Sequence, residues 1–516
     1  MNIAQWVTGW ASRTPDKTAV YFQGRNISYA DFDRSIRSTT SALRRLGIKR
    51  TDRVALLEYN TPEYLTVIFA CARLGATAVP LNWRLTTREH MVQINDSLPD
   101  VLLAGPGFLE HAEDLRGSCN IDHWICFGKP GDDWLAFHDL QKAGSRTATP
   151  DEGEMDDALL LVYTSGTTGK PKGAVLTQNA VSWNAVNSQI VHDLVSDDRI
   201  LTDLPLFHVG GLNIQTLPAF RMGASVILHS RFNAGKSLHD IETQRPTINL
   251  MVPATMQAFI NHPAWSKTDL SSLRLAMTGS SIIPIPLLQA FLDRGVTAGQ
   301  VYGSTETCPI AICLGREQAR EKIGSCGKPV RHCDAKVVRS DGSEADVGEP
   351  GEILIRGQNL FSGYWNDEES TTATMAGDWF KTGDIGHVDE DGFYYIDERS
   401  RDVIISGGEN IYPAEIENII TGLAGIHECA VVGKPDERWG EIPVAFIVAD
   451  RDRRIDSDWL FSAVDGQLAH FKIPKEVSLV EELPRNVMGK ILKYRLREQL
   501  QREPSISGEE PAKAVK

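Results

Sequence analysis

The sequence lacks several features that would assign it to particular classes of protein. Its 516 residues include 53 lysines and arginines against 68 aspartates and glutamates, which gives a formal net charge of −15. This excess of negative charge argues against a nucleic-acid-binding surface and against a basic face that attracts membranes. The eight cysteines include no Cys-x-x-Cys pair and no metal-finger spacing. We therefore expect reduced thiols, as in a cytosolic protein.

Long apolar segments and targeting signals are missing too. No run approaches the ~20 apolar residues that cross a bilayer, so we expect no integral membrane segment. Residues 1–6 lack a basic stretch followed by an apolar core, and we expect no secretory signal. Residues 514–516 do not match the peroxisomal Ser-Lys-Leu signal. These observations predict a cytoplasmic protein without a nucleic-acid partner, and they leave a homodimer open.

The residues that are present follow the pattern of a layered α/β protein. The chain is too long for one hydrophobic core, so at least two domains are expected. Over roughly the first 400 residues, short apolar strands alternate with amphipathic helices. Hairpins follow at 335–397, and the charged segment 398–402 marks the predicted boundary. We predict a large domain of β-sheets, helices and a hairpin-rich part over 1–398, a small mobile α+β domain over 399–503, and a disordered tail over 504–516.

A segment rich in glycine and small hydroxyls is the most informative part of the chain. Residues 163–173 read Tyr-Thr-Ser-Gly-Thr-Thr-Gly-Lys-Pro-Lys-Gly and follow the apolar run 158–162. Glycines let backbone N–H groups approach an anion, hydroxyls add donors, and lysines add positive charge. The segment therefore predicts a phosphate-binding loop. It differs from the Gly-x4-Gly-Lys-Ser/Thr loop whose hydroxyl binds magnesium, so a metal ligand has to come from elsewhere.

Four further motifs follow along the chain. They are Tyr302–Glu306 (Tyr-Gly-Ser-Thr-Glu), Gly377–Asp384 (Gly-Asp-Trp-Phe-Lys-Thr-Gly-Asp), Glu398–Glu417 with two adjacent glycines, and Pro484–Lys490 (Pro-Arg-Asn-Val-Met-Gly-Lys). With the phosphate loop, these motifs resemble those of the adenylate-forming superfamily, in the same order and over nearly the full length. That superfamily contains acyl-CoA synthetases, luciferases and peptide-synthetase adenylation domains.

The resemblance implies an acid–CoA ligase that uses ATP, Mg²⁺ and CoA. In such an enzyme, a carboxylate attacks the α-phosphate of ATP and pyrophosphate leaves. A thiol then displaces AMP from the acyl-adenylate. A carboxylate needs this activation because oxide is a poor leaving group, and the protein has to bring two anions together while it excludes water.

The resemblance also implies a nucleotide site. Glu306 is expected to bind Mg²⁺ through oxygen, and Asp384 to accept hydrogen bonds from both ribose hydroxyls. Tyr302 is expected to stack on adenine, although a core position for its ring stays open, and Arg399 could instead form an ion pair at the domain junction. The complete predicted nucleotide-binding set is Thr164, Ser165, Gly166, Thr167, Thr168, Gly169, Lys170, Lys172, Gly279, Ser280, Ser281, Tyr302, Gly303, Thr305, Asp384, Arg399 and Lys490.

Catalytic residues and an acyl pocket are implied as well. Lys490 would bridge the substrate carboxylate and the α-phosphate. Thr305 would donate to phosphate, Glu306 would hold the metal, and His208 would gate the pocket. The predicted pocket consists of His208, Val209, Gly210, Gly211 and Ile310.

A third group of residues is implied in the thiol step. Gly407 and Gly408 would form a turn that lines a tunnel for the thiol, although an ordinary turn would also explain them. Lys472 is the predicted contact for CoA phosphates, with Lys475 as the alternative. Arg401 falls at the hinge, where many relatives carry aspartate or lysine.

Other functions within the superfamily stay open at this point. A peptide-synthetase adenylation domain would need an aspartate in the segment after His208, where Asn213 and Gln215 stand. A catalytically silent nucleotide sensor would not need both Lys490 and Glu306, and nothing suggests the oxygen chemistry of a luciferase. A stand-alone adenylation enzyme that serves a carrier protein is the remaining alternative. The small apolar pocket predicts a medium- or long-chain fatty acid or an aryl or phenylpropanoid acid.

Overall fold

Two compact units make up the computed structural model of this protein. The structure describes residues 2–129, 133–144, 151–165, 171–279, 283, 285–399, 403–450, 455–485 and 491–502. A large unit ends at Arg399 and a small unit begins at Val403. The predicted fold class, a large α/β domain followed by a small α+β domain, is confirmed. Among the described residues, no helix has the length and hydropathy of a membrane span.

Strands and helices alternate along both units. The strands are β1 (Thr18–Phe22), β2 (Arg25–Ser28), β3 (Arg53–Leu57), β4 (Thr77–Pro80), β5 (Val101–Ala104), β6 (His123–Cys126), β7 (Leu135–Ala136), β8 (Ala158–Ser165), β9 (Pro171–Thr177), β10 (Arg199–Thr202), β11 (Ser225–Leu228), β12 (Ile248–Met251), β13 (Leu275–Thr278), β14 (Ala298–Tyr302), β15 (Ile312–Leu314), β16 (Lys328–Pro329), β17 (Cys333–Val338), β18 (Gly351–Gly357), β19 (Gly363–Tyr364), β20 (Met375–Ala376), β21 (Trp379–Val388), β22 (Tyr394–Arg399), β23 (Ile404–Ser406), β24 (Glu409–Ile411), β25 (Ile426–Asp436), β26 (Gly440–Ala449) and β27 (Glu476–Leu479). The helices are α1 (Ala4–Arg13), α2 (Tyr29–Arg45), α3 (Pro62–Leu74), α4 (Thr87–Ser97), α5 (Leu109–Arg116), α6 (Phe137–Ala143), α7 (Gln178–Val191), α8 (Val209–Gly211), α9 (Leu217–Met222), α10 (Ala234–Gln244), α11 (Pro253–Ile260), α12 (Ile285–Asp293), α13 (Glu368–Thr374), α14 (Pro413–Thr421), α15 (Ser457–Val464) and α16 (Lys493–Arg502).

The large unit contains three sheets. The first has the strand order β16-β15-β14-β13-β12-β10-β11-β1-β2, and the second has the order β19-β9-β8-β4-β3-β5-β6-β7. The third runs β17-β18-β21-β20, with β22 paired to β21. Strand β14 pairs antiparallel with β15, whereas strands β10 to β14 run parallel to one another. Their carboxyl ends therefore meet at one edge of the first sheet, which is where open α/β sheets bind ligands.

Local sequence explains why the helices form where they do. The Ser28 hydroxyl caps α2 by accepting from the N–H of Asp31, and Phe32, Ile36 and Leu43 of that helix are buried. Their spacing of four and then seven residues places them on one helical face. Helix α3 begins with Pro62 after the cap residue Thr61 and ends at Gly75 in the left-handed region, the usual arrangement of a proline start and a glycine stop.

A buried asparagine ties the second sheet to the first. Asn60 follows β3, and its Nδ2 donates to the carbonyl oxygens of Leu204 and His229 at 2.9 and 3.0 Å. Its Oδ1 accepts from the N–H of Leu206 at 2.8 Å. Irregular backbone inside a protein needs such partners. Asn60 therefore fixes the segment that leads from β10 to His208.

The small unit has its own sheet and core. Its strands follow the order β24-β23-β26-β25, and β27 pairs with β26. Ile404, Ile416, Val431 and Leu460 are among the buried residues of this core. The unit therefore packs its own apolar side chains, as an independent domain does.

Glu58 is a buried carboxyl group directly after β3. The residue is 7 % exposed, and its Oε1 accepts from the N–H of Tyr59 at 2.7 Å. A Cβ on Gly105 would come within 1.9 Å of the carboxyl oxygen Oε2, so the group has little free space. Burial, which disfavours the charged form, raises the pKa of Glu58 to about 7.

This buried carboxyl predicts a pH-dependent stability. Because the folded state binds the proton more tightly, the free energy of unfolding should fall as pH rises from about 4.5 to about 7. Each unit of pKa difference corresponds to about 1.4 kcal/mol. Glu58→Gln should therefore raise the thermal unfolding midpoint at pH 8 and change it little at pH 5. Glu390→Gln, in an exposed turn, is the control, and an equal shift at both pH values in Glu58→Gln would contradict the expectation.

Candidate active site

The predicted phosphate segment is mostly strand. Thr164 of β8 pairs with Lys172 of β9, and Ser165 pairs with Pro171. The prediction of a loop over all of 163–173 is therefore wrong at both ends, because the ladder continues as far as these pairs. The connection 166–170 is outside the described residues. Lys172 thus sits on a regular strand, which fixes the direction in which its side chain leaves the backbone.

Lys172 has two neighbours that the sequence did not indicate. Its Nζ lies 2.6 Å from the Ser370 hydroxyl and 5.3 Å from the ring centre of Tyr364. The short strand β19 pairs with β9, with Tyr364 opposite Ala174. This pairing brings Tyr364 beside the lysine although the two residues are far apart in sequence.

Glu306 is held by a tyrosine. It lies in a 3-10 turn, Thr305–Thr307, and is 7 % exposed. Its Oε1 accepts a hydrogen bond from the Tyr364 hydroxyl at 2.6 Å. Gly303 permits the turn, because a Cβ there would lie 1.8 Å from the carbonyl oxygen of Pro309.

The surroundings of Glu306 fit a hard divalent cation. A buried carboxylate is costly unless a positive group compensates it, and the hydroxyl that donates to Glu306 is neutral. The described residues contain no group of three or more His, Cys, Asp or Glu side chains that could enclose a metal. Mg²⁺ commonly takes one or two protein carboxylates and completes its shell with phosphate and water. Glu306 is therefore suited to bind Mg²⁺ that is shared with a nucleotide.

A second carboxylate is also held by a tyrosine. The Tyr302 hydroxyl donates to Oδ2 of Asp384 at 2.9 Å. Burial and the nearby Asp384 charge raise the pKa of Tyr302 well above its usual value, so the phenol keeps its proton. The N–H of Asp384 donates to the Thr382 hydroxyl at 3.0 Å. The backbone of Arg399 lies opposite Asp384 in the pairing of β21 with β22. The predicted nucleotide residues Tyr302 and Asp384 are thus in direct contact.

The predicted acyl residues form a buried apolar segment. His208 precedes α8, and its Nδ1 accepts from the N–H of Gly210 at 3.0 Å. A neutral imidazole in this arrangement carries its proton on Nε2. Val209, Gly210 and Gly211 are buried, as is Ile310. One turn of π-helix, Leu212–Thr216, connects α8 to α9, a form that often marks functional sites.

The segment after His208 and the segment after Glu306 together form the acyl wall. Asn184 joins these two segments. Its Nδ2 donates to the carbonyl oxygen of Asn213 at 2.7 Å, and its Oδ1 accepts from the N–H of Ile310 at 3.0 Å. Both amide atoms are used, so Asn184 holds the segment after His208 against the segment after Glu306. The wall therefore consists of backbone that is fixed from behind by a buried side chain.

The predicted thiol-step residues lie in the small unit. Gly407 and Gly408 form the turn between β23 and β24, with φ of +59° and +85°. Lys472 is buried, and its Nζ is ion-paired with Glu415 at 2.8 Å. Its ammonium already has a partner, which disfavours Lys472 as a CoA contact. Lys475 is exposed overall, and partial desolvation of its charged group lowers the pKa of the ammonium.

Some predictions cannot be placed, and other residues were missed. The predicted residues outside the described part of the chain are Gly166, Thr167, Thr168, Gly169, Lys170, Ser280, Ser281, Arg401 and Lys490, together with the tail 504–516.

Sequence reasoning missed Tyr364, Asn184 and Gln300. Gln300 is buried on β14, and its Nε2 has no partner among the described residues. No local signal marks Tyr364 or Asn184, because long-range pairing creates their contacts. The position of Gln300 two residues before Tyr302 could have indicated it.

Comparison with known proteins gives consistent findings. Residues 7–365 match the family model described as AMP-binding enzyme, and residues 415–490 match that of the AMP-binding enzyme C-terminal domain. The chain is 44 % identical to an indoleacetate–CoA ligase of Aromatoleum aromaticum, which covers 98 % of this chain and 99 % of the relative. It is 40 % identical to a feruloyl-CoA synthase of an Amycolatopsis species, covering 96 % and 98 %. A crystal structure of o-succinylbenzoate CoA synthetase from Bacillus subtilis, a double mutant with a bound product analogue, has a TM-score of 0.85 at 32 % identity, covering 96 % and 98 %.

The Tyr364 contact predicts a role in cation binding. Tyr364→Phe removes the hydroxyl that orients Glu306, and hydrogen bonds to charged groups contribute about 1.5–3 kcal/mol. We expect roughly tenfold weaker binding of Mg²⁺ together with ATP, as measured by titration calorimetry. Tyr394→Phe is the matched control, because it loses a hydroxyl bond to the carbonyl oxygen of Ala335 at 2.7 Å. Equal affinity in Tyr364→Phe and the wild-type protein would show that Glu306 does not depend on this bond.

Proposed function

Since the chain belongs to the AMP-binding enzyme family and is an acid–thiol ligase, we propose that its substrate is an aromatic carboxylic acid. ATP-dependent ligation of an acid to CoA is the chemistry that it shares with its relatives. The proposal concerns the acid and the roles of individual residues in the two steps.

The observation that carries the proposal is the change of polarity along residues 209–216, which include the predicted acyl-pocket residues Val209, Gly210 and Gly211. Residues 209–212 are apolar or glycine and buried. They are followed by the buried polar side chains of Asn213 and Gln215, which have amide atoms without a partner among the described residues. A long alkyl chain that ran past these groups would leave polar atoms without water, which costs free energy. A short, flat aromatic ring against the apolar wall avoids that cost, and Gly210 leaves room for it.

The acids named for three of the similar proteins support the same class, whereas a further relative, 37 % identical over 92 % of this chain, is named for long-chain fatty acids. Indoleacetate, ferulate and o-succinylbenzoate all carry an aromatic ring, and the similarity covers nearly the whole of each chain. A long-chain fatty acid is the alternative that the experiment below separates from an aryl acid.

In the proposed first step, the carboxylate attacks the α-phosphate of ATP. Lys490 would place its ammonium between these two anions and offset the charge that builds up during transfer. Lys172 and the segment 164–170 would hold the outer phosphates, and Asp384 would accept hydrogen bonds from the ribose hydroxyls. Glu306 would hold Mg²⁺, which neutralises phosphate charge when it is bound. Tyr364 would keep the Glu306 carboxylate pointing in one direction.

In the proposed second step, the CoA thiol attacks the acyl carbon and AMP leaves. Gly407 and Gly408 would line the path of the thiol, and Arg401 would be the pivot about which the small domain reorients. The catalytic lysine and the glycine turn both belong to this domain, yet they would serve different steps. Reorientation of a domain between steps is a common way to separate half-reactions.

A panel of acids tests the proposed substrate class. Release of pyrophosphate and formation of acyl-CoA are measured with ATP and CoA for indoleacetate, ferulate, phenylacetate and saturated fatty acids of 6 to 16 carbons. We expect kcat/KM to be at least about tenfold higher for the best aryl acid than for any fatty acid. Lys490→Ala is the control and should abolish pyrophosphate release. A fatty acid as the best substrate would contradict the proposal.

The glycine turn predicts a separation of the two steps. Gly408→Leu should leave pyrophosphate exchange intact and reduce acyl-CoA formation, because a side chain would obstruct the thiol. A leucine at positive φ also costs about 1–2 kcal/mol. Gly392→Leu, at a glycine with φ of +80° and open space where a Cβ would lie, imposes the same backbone cost in a turn of the large unit. Single-turnover kinetics of each step should distinguish the two variants, and equal CoA turnover in both would make Gly408 an ordinary turn residue.

A further inference from the structure

Asn213 presents an unused hydrogen-bond acceptor inside the acyl wall. Its side chain is 0 % exposed, and its Nδ2 donates to the sulfur of Cys308 at 3.4 Å. Its Oδ1 has no partner in the part of the chain that the structure describes. A buried amide oxygen that is left unpaired costs stability, because it has lost its hydrogen bonds to water. Such an atom is therefore a candidate to meet a group that arrives with the substrate.

The position of Asn213 is fixed at both ends. Asn184 holds its backbone carbonyl at 2.7 Å, and the contact with Cys308 holds the nitrogen of its side chain. Cys308 lies between Glu306 and Ile310, so the Asn213 amide spans the two segments that make the wall. A rigid acceptor can discriminate between ligands, because it cannot rotate to find another partner. A ligand without an N–H or O–H donor therefore leaves it unpaired.

The chemistry of an amide oxygen limits what it can bind. It accepts N–H and O–H groups and gains nothing from a carboxylate. The reacting end of the acid is ionised and carries no donor, so a matching donor has to lie on the distal part of the molecule. Ring N–H groups and phenolic hydroxyls are the donors that an aromatic acid carries there.

We propose that Asn213 Oδ1 accepts a hydrogen bond from a ring N–H or ring hydroxyl of the acid, so that this enzyme selects donor-bearing aryl acids. The inference rests on the proposed function and refines its substrate class. Sites built to pair with a substrate N–H or O–H reject analogues that lack it, because their own polar group is then left unpaired.

A neighbouring amide provides the internal comparison. Gln215 is 2 % exposed, and neither of its amide atoms has a partner among the described residues. It lies two residues after Asn213 on the same π-helical turn. Asn184 fixes the carbonyl of Asn213 and has no bond to Gln215 among the contacts described, so we assign the recognition to Asn213.

The test uses pairs of acids that differ only in the donor. Indole-3-acetate is compared with benzothiophene-3-acetate, and 4-hydroxyphenylacetate with 4-fluorophenylacetate. For the pair that contains the better substrate, the wild-type enzyme should show roughly a 10- to 100-fold higher kcat/KM for the donor-bearing member. Asn213→Leu should reduce this ratio to within about threefold, mainly by lowering kcat/KM for the donor-bearing acid. The KM for ATP should not change.

Several controls keep the outcome decisive. Asn213→Ala is the second variant in case leucine does not fit, and circular dichroism checks folding. Gln215→Leu should keep the donor preference. Equal kcat/KM for both members of each pair in the wild-type enzyme would overturn the inference while aryl acids remain substrates and the proposed function stands. Loss of the preference in Gln215→Leu but not in the Asn213 variants would overturn it too. Absence of turnover with every aryl acid would reject the proposed function itself.

Discussion

Two buried asparagines, Asn60 and Asn184, fix the loops that follow the parallel strands of the first sheet, where predicted acyl-pocket residues lie. Loops at the carboxyl ends of parallel strands leave the hydrogen-bond ladder, and their N–H and C=O groups need partners inside the protein. Asn60 supplies partners to the segment before His208, and Asn184 supplies them to the segments around Asn213 and Ile310. Each amide uses both its donor and its acceptor. An apolar residue of similar size would bury the same area but leave those backbone groups unpaired, so the shape of the wall depends on these two side chains.

The two carboxylates of the site are oriented by neutral donors. Glu306 accepts from Tyr364, and Asp384 accepts from Tyr302. A lysine or arginine in these places would compensate the negative charge and compete with a cation for Glu306. A tyrosine hydroxyl fixes the direction of a carboxylate while the negative charge is retained. In the proposed first step, one of these carboxylates would hold a divalent cation and the other would accept hydrogen bonds from ribose hydroxyls.

Sequence patterns predicted the architecture better than they predicted the contacts. The alternation of strands and helices expected over roughly the first 400 residues is present, for example in α2 and β5, because apolar spacing and caps act locally. The loop expected over 163–173 was too long, since strand pairing depends on partners that a local pattern does not report. Tyr364 was missed because only the pairing of β19 with β9 brings it to Glu306. The buried ion pair of Lys472 with Glu415 was also beyond local patterns, which predicted that Lys472 contacts CoA phosphates.

The close approach of Gly210 to His208 restricts how acid preference can change over evolutionary time. A Cβ at position 210 would lie 2.9 Å from Nδ1 of His208, the atom that accepts the hydrogen bond of Gly210. Any larger residue would therefore displace the imidazole, and in the proposed acyl pocket it would also take up space. Descendants of this protein that come to prefer smaller acids would have to alter both positions together. Substitutions at these two sites should consequently be epistatic, and single-site libraries would underestimate the range of acids within reach.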